Sequence, residues 1–218
     1  MMNFKNENRG ILFDLDGTLI DQFEAIHSAF SKTLVTMGFP APSYNEVRRA
    51  VGGASEATMK KLIGPLRAKE AVNKLRPIFE KEMFCGLKLL PGVMEGIQKI
   101  KASSFKCAVL TNKYGPHARS ACKHLKIDQY LEFTIGANDT KWKKPDQELT
   151  FHALEKLNIL PAQTIYVGDS PYDFQTAKNS QLECYLVATG THSFEELSKL
   201  NGDKTYRNFK EFVQFLLA

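Results

Sequence analysis

Tryptophan occurs once in this chain and cysteine only four times. The cysteines, Cys85, Cys107, Cys122 and Cys184, lie far apart, with no C-x-x-C pair and no histidine at zinc-ligand spacing. That excludes a disulfide scaffold and a zinc-ribbon type of site, and predicts free thiols in a reducing compartment. No stretch approaches the roughly 20 apolar residues of a membrane span. The opening MMNFKNENRG is too polar for a signal region. A cytoplasmic protein with no membrane partner is expected. A large excess of charge of one sign is missing too: the formal net charge is +5, without an arginine-rich run. Nucleic acid is therefore not an expected partner, whereas a small anionic substrate is. Repeats and low-complexity tracts are missing, and nothing points to a particular oligomeric state. What remains is one sizeable globular unit with room for an insertion.

From Phe105 onward, short apolar runs alternate with amphipathic stretches. FKCAVLTN, LEFTIGA, TIYVGD and CYLVAT read as strands. Helices are predicted over PHARSACKHL, PDQELTFHALEKL and Ser170 to Asn179. Apolar runs spaced by helices mean parallel strands covered on both faces, and ILF at residues 11–13 fits as one more. Residues 20–85 differ, reading as helix after helix with no clear strand. Phe23, Ile26, Phe30, Leu34 and Met37 keep helical spacing, with His27 on the same face as a core residue. SYNEVRRAV and SEATMKKLI each open on a serine suited to a helix start, and the first also has the capping-box glutamate. A further helix runs from Leu66 towards Phe84, with Pro77 ending or kinking it. LKLLPGVMEGI returns the chain to the sheet through a Pro-Gly turn. The expected fold is α/β: a Rossmann-like, doubly wound parallel sheet over residues 1–19 and 86–218, interrupted by an all-helical cap over residues 20–85.

In such sheets ligands sit beyond the carboxyl ends of the strands. The first strand ends in Asp14-Leu15-Asp16-Gly17-Thr18, the next in Thr111-Asn112-Lys113 and a later one in Gly168-Asp169, while Lys144-Pro145 precedes a helix. Residues i and i+2 of a strand share a side, so Asp14 and Asp16 face one space. Two carboxylates that close repel unless a cation bridges the site or one is protonated. With Asp169 they make an all-oxygen donor set, which suits Mg²⁺ beside a phosphate. Thr111 and Lys144 then serve as phosphate donors, with Asn112 beside them and backbone N–H groups offered by Gly17 and Thr18. Asp173 either starts a helix, capped by Ser170, or steadies the metal site from behind. Lys113, Arg48 and Arg49 read as solvated. Within the cap, RRAVGGASEA is the Gly-bearing break. There Gly52 and Gly53 allow φ > 0, and Arg48 or Arg49 is the candidate to pair with a substrate carboxylate.

FDLDGTLID, LTN, KKP and VGDSPYD, in that order, resemble the motifs of the haloacid dehalogenase-like hydrolase superfamily. The resemblance implies a nucleophile at Asp14 and a general acid/base at Asp16. It also implies phosphate binding at Thr111 and Lys144, and Mg²⁺ on Asp14, Asp169 and the Asp16 carbonyl. Dehalogenases and phosphonate hydrolases of that superfamily lack an acid matching Asp16, and its sugar phosphomutases carry Glu-Asp where Gly168-Asp169 stands. TNK, GANDTKWKKPDQE and VGDSPYDFQTAK look most like phosphoglycolate phosphatases, with Gln147 in place of a proline common there. The resemblance thus implies a Mg²⁺-dependent phosphatase acting on a small phosphorylated metabolite through an aspartyl-phosphate. Nucleotidase, pyrophosphatase and sugar phosphatase activities stay open beside it, as does a phospho-accepting signalling module.

Overall fold

A computed structural model of the chain describes residues 9–218. The polar opening, and with it the first eight residues assigned to the core, lies outside the described residues. In chain order, β1 (Arg9–Phe13) and β2 (Ile20–Asp21) lead into helices α1 (Phe23–Thr36), α2 (Tyr44–Ala50), α3 (Ser55–Ile63) and α4 (Ala68–Glu82). The chain returns through β3 (Lys88–Leu89), α5 (Val93–Ala102), β4 (Phe105–Leu110), α6 (Gly115–His124) and β5 (Phe133–Ile135). It then continues through α7 (Gln147–Leu157), β6 (Thr164–Gly168), α8 (Pro171–Asn179) and β7 (Glu183–Val187). The last elements are α9 (Phe194–Asn201), β8 (Thr205–Tyr206) and α10 (Phe209–Leu216).

The main sheet has the order β5-β4-β1-β6-β7-β8, and every pair in it is parallel. Strand alternation divides the core. Ile11, Phe13, Cys107, Val109, Ile165 and Val167 face α5, α6 and α10. Leu12, Ala108, Leu110, Tyr166 and Leu186 face α7, α8 and α9. Both faces are covered, so continuous apolar runs are what these strands need, and each buried large side chain is worth about 1.5–3 kcal/mol. The winding reverses between β1 and β6, and a crevice opens beyond their carboxyl ends.

α1 to α4 bury Phe23, Phe30, Met59, Leu75 and Phe79 in a third apolar cluster of their own. Three expectations about this segment change. The chain enters it as β2 and leaves as β3, a two-stranded antiparallel ribbon pairing Ile20 with Leu89. α2 has the capping box of Ser43 and Glu46, but α3 starts one residue early. Ala54, still extended, holds its cap position and Ser55 is already helical, because the turn bridged by Val51 and Gly53 runs up to it. Pro77 does not end α4. A mid-helix proline costs about 3 kcal/mol. Leu75 and Phe79, buried on either side of it, return about 1.5–3 kcal/mol each.

Candidate active site

Asp14 follows the last residue of β1, and its amide donates to Val167 O on β6 at 2.9 Å. The strand pairing therefore carries Asp14 to the point where the sheet reverses. Gly168 ends β6, and Asp169 follows it. Carboxylate oxygens of Asp14, Asp169 and Asp173 all lie within 4.8 Å of one another, and all three residues are buried. Gly190 is required here: a Cβ on it would lie 1.9 Å from Asp169 Oδ2.

Lys144 stands among these acids with its side chain 2% exposed, its Nζ donating to Asp14 Oδ1 and to Asp173 Oδ1, each at 2.7 Å. Burial works against its charge, but Asp14 and then Asp173 outweigh it and hold the ammonium well above its usual range. Asp173 has its expected place in the first turn of α8. At the start of α8 its Oδ2 accepts from Ser170 N and Oγ and from Asp169 N, while Oδ1 takes Lys144. Asp169 Oδ2 accepts from Thr191 N at 2.7 Å and Oγ1 at 3.0 Å. Asp14 Oδ2 and Asp169 Oδ1 accept no hydrogen bond among the described residues. Burial above all, with Asp173 adding to it, raises the Asp14 carboxyl to about 6 despite Lys144. Burial and then Asp173 and Asp14 push Asp169 well above the carboxylate range.

Asp16 is placed apart from the three-carboxylate group. Both its oxygens accept from Lys113 Nζ, at 3.0 and 2.9 Å, and the Lys113 side chain is only 7% exposed. The expectation of a solvated Lys113 is therefore wrong. Asp14, Asp16, Asp169 and Asp173 against Lys113 and Lys144 leave two formal negative charges in excess. Those charges, two free carboxylate oxygens, an Asp16 carbonyl with no donor among the described residues and no imidazole or thiol in the group fit a hard dication.

Thr111 and Asn112 continue β4 and are buried on the wall of a cavity of about 180 Å³ that Asp14, Asp16 and Asp169 also line. The Asn112 side chain is committed: its amide nitrogen donates to Gly52 O and Lys144 O, and its oxygen accepts from Lys144 N. The amides of Gly17 and Thr18, expected as free donors, are consumed by a local turn, donating to Ile20 O and Leu15 O. The amides of Leu15, Asp16 and Asn112 donate to nothing among the described residues. They sit directly after strand ends, and that position, more than glycine content, was the sequence signal for them.

Residues 11–187 match the family model for haloacid dehalogenase-like hydrolases. The chain belongs to that family. A phosphoglycolate phosphatase of Psychrobacter arcticus is 28% identical over 95% of this chain and 95% of its own. One of Salmonella typhi is 28% identical over 99% of this chain and 95% of its own. A solved structure described as a predicted phosphoglycolate phosphatase, from Haemophilus somnus, shares the fold with a TM-score of 0.89 at 20% identity, over 97% of this chain and 99% of that one. A haloacid dehalogenase-like family protein from Streptococcus pneumoniae does so with 0.86 at 23%, over 96% and 99%. The chain is an enzyme, a hydrolase that resembles the phosphatases of its family.

The helical segment of this hydrolase supplies much of the cavity wall, Ile26, Phe30, Leu75 and Phe79 among it. Gly52 takes φ +117, as expected, but Gly53 keeps ordinary backbone angles. Arg48 is half-buried, Arg49 is exposed as expected, and neither lines the cavity. Arg48 donates to Gly190 O, and Arg49 donates to Thr191 O and forks onto both oxygens of Glu196. They clamp the loop whose Thr191 holds Asp169. That loop, Thr189-Gly190-Thr191, follows the strand CYLVAT, and the strand-end rule applied once more would have marked it. His27, placed with the core face, is half-buried, its Nε2 3.0 Å from Pro42 O.

Proposed function

We propose that this hydrolase is a Mg²⁺-dependent phosphatase acting on a small phosphate monoester, phosphoglycolate-like, as the names of its relatives suggest. The observation that carries the reading is Asp14. It lines the cavity with one oxygen on Lys144 and the other free, at the reversal point of the sheet. A carboxylate oxygen of Asp14 attacks phosphorus in line, and the bond to the leaving oxygen breaks as an aspartyl-phosphate forms. Lys144 Nζ, Thr111 Oγ1 and the free amides of Leu15, Asp16 and Asn112 receive the phosphoryl oxygens. Asp16, oriented by Lys113, protonates the leaving oxygen and then takes the proton of the attacking water. Asp14, Asp169 and the Asp16 carbonyl are the groups to hold Mg²⁺, which supplies charge neutralisation between the acids and the phosphate. Asp173 steadies Lys144 and Asp169. Residues 20–85 act as a cap that excludes water. A turnover role for Asp16 argues against a phospho-accepting signalling module. The free thiols favour a cytoplasmic setting, and no helix among the described residues is long and apolar enough to cross a membrane.

Release of p-nitrophenol from p-nitrophenyl phosphate, measured with Mg²⁺ and with EDTA, tests the reading. Turnover with Mg²⁺ that EDTA stops is expected. No turnover, or turnover indifferent to EDTA, would overturn it.

The metal assignment also predicts a pH dependence. The Asp14 carboxyl, raised from 3.8 to about 6 in the cation-free protein, binds its proton more tightly folded than unfolded. Stability is therefore lost as pH rises through that window. A dication relieves the crowding above it but must displace protons below it. At 100 times its Kd, Mg²⁺ adds about 2.7 kcal/mol, roughly 5–10 °C in Tm for a chain of this size. That gain is expected at pH 7.5 and should shrink markedly at pH 5. Equal gains at both would count against carboxylate ligation.

A further inference from the structure

The core end of the cavity is occupied by groups suited to phosphate and Mg²⁺, but its cap end has no assigned task. Ile26, Phe30, Leu75 and Phe79 form much of that wall, and apolar carbon discriminates among esters by little more than size. Specificity for a polar substrate falls to the few polar groups there. Arg48 and Arg49 are committed to the loop around Thr191. Glu56 is taken up by Lys60 at 2.8 Å.

Arg76 is different. It lines the cavity from α4, and no carboxylate pairs with it among the described residues. Its guanidinium lies over the Tyr114 ring, 4.6 Å from the centroid. Tyr114 in turn meets His117 edge-on at 4.8 Å. His117 Nε2 is 3.2 Å from Glu80, one turn along α4 from Arg76. The nearest acid on the same helix is thus taken by the imidazole, and the guanidinium is left over the Tyr114 ring without a carboxylate partner among the described residues. Lys143, also on the cavity wall, adds positive charge without a fork.

We propose, on the phosphatase reading above, that Arg76 reads a carboxylate on the organic part of the phosphate ester. A planar guanidinium pre-set by an aromatic ring matches a carboxylate with two parallel hydrogen bonds. Because Arg76 belongs to the cap and Tyr114 to the core, the fork is assembled over the cavity only when the two meet.

The test compares kcat/KM for 2-phosphoglycolate and for ethyl phosphate, which has the same two carbons and no carboxylate. Wild type, Arg76→Met, Arg76→Gln and Arg76→Lys are measured with Mg²⁺. Wild type is expected to favour 2-phosphoglycolate by about 10- to 100-fold, the worth of hydrogen bonds to a charged group. Arg76→Met and Arg76→Gln should bring the ratio near unity, mainly through KM, and Arg76→Lys should keep part of it. The glutamine variant, closer in shape, decides the matter if the methionine variant fails to fold. A wild-type enzyme that turns over p-nitrophenyl phosphate but treats the two esters alike overturns this inference alone. So does a ratio that survives both neutral substitutions. A protein that hydrolyses none of the three esters overturns the phosphatase reading, and this one with it.

Discussion

Asp14→Asn is expected to abolish hydrolysis while the protein stays folded. An amide cannot attack phosphorus, and losing a nucleophile costs on the order of 10⁴-fold or more. The fold should survive because Lys144 Nζ keeps Asp173 Oδ1 at 2.7 Å, so its buried charge is not orphaned. Replacing a carboxylate whose burial opposes ionisation also removes a charge that the cation-free protein holds at a cost. The variant should melt no lower than wild type above pH 6 without Mg²⁺. Phosphate release and a circular dichroism melt check both halves. Turnover within tenfold of wild type would remove Asp14 from the chemistry, and an unfolded variant would refute the account of Lys144.

Asp16→Asn is expected to slow turnover by about 10²–10⁴-fold, the usual contribution of a positioned acid/base. The loss should depend on the leaving group. p-Nitrophenolate departs with little protonation and should suffer least, whereas an alkyl phosphate should show the full effect. The substitution also strips Lys113 of its carboxylate, in a place where the lysine side chain is 7% exposed. A lowered Tm is therefore expected beside the kinetic change, softened because asparagine keeps one oxygen as acceptor. Equal losses on both substrates would count against proton transfer by Asp16 and leave it a purely structural partner of Lys113.

Much of this architecture is legible without coordinates. Sheet alternation acts over two residues and helix packing over three or four, so apolar spacing carries both locally. The parallel strands, the helical block and the placing of Asp14, Thr111 and Asp169 at strand ends follow from it. β2, β3 and β8, two residues each, are too short for any period to mark. The pairing of Lys113 with Asp16 spans 97 positions, and that of Arg49 with Glu196 spans 147. Among 29 basic and 24 acidic residues, no local pattern selects those partners. Likewise, the amides of Gly17 and Thr18 look free in the sequence and are spent in the fold, because a hydrogen bond depends on distances that only the closed turn sets. The sequence by itself determined which chemistry stands at the strand ends. Tertiary structure alone decided which charges meet there and left Arg76 unpaired, since ion pairing is a matter of ångströms between segments remote along the chain.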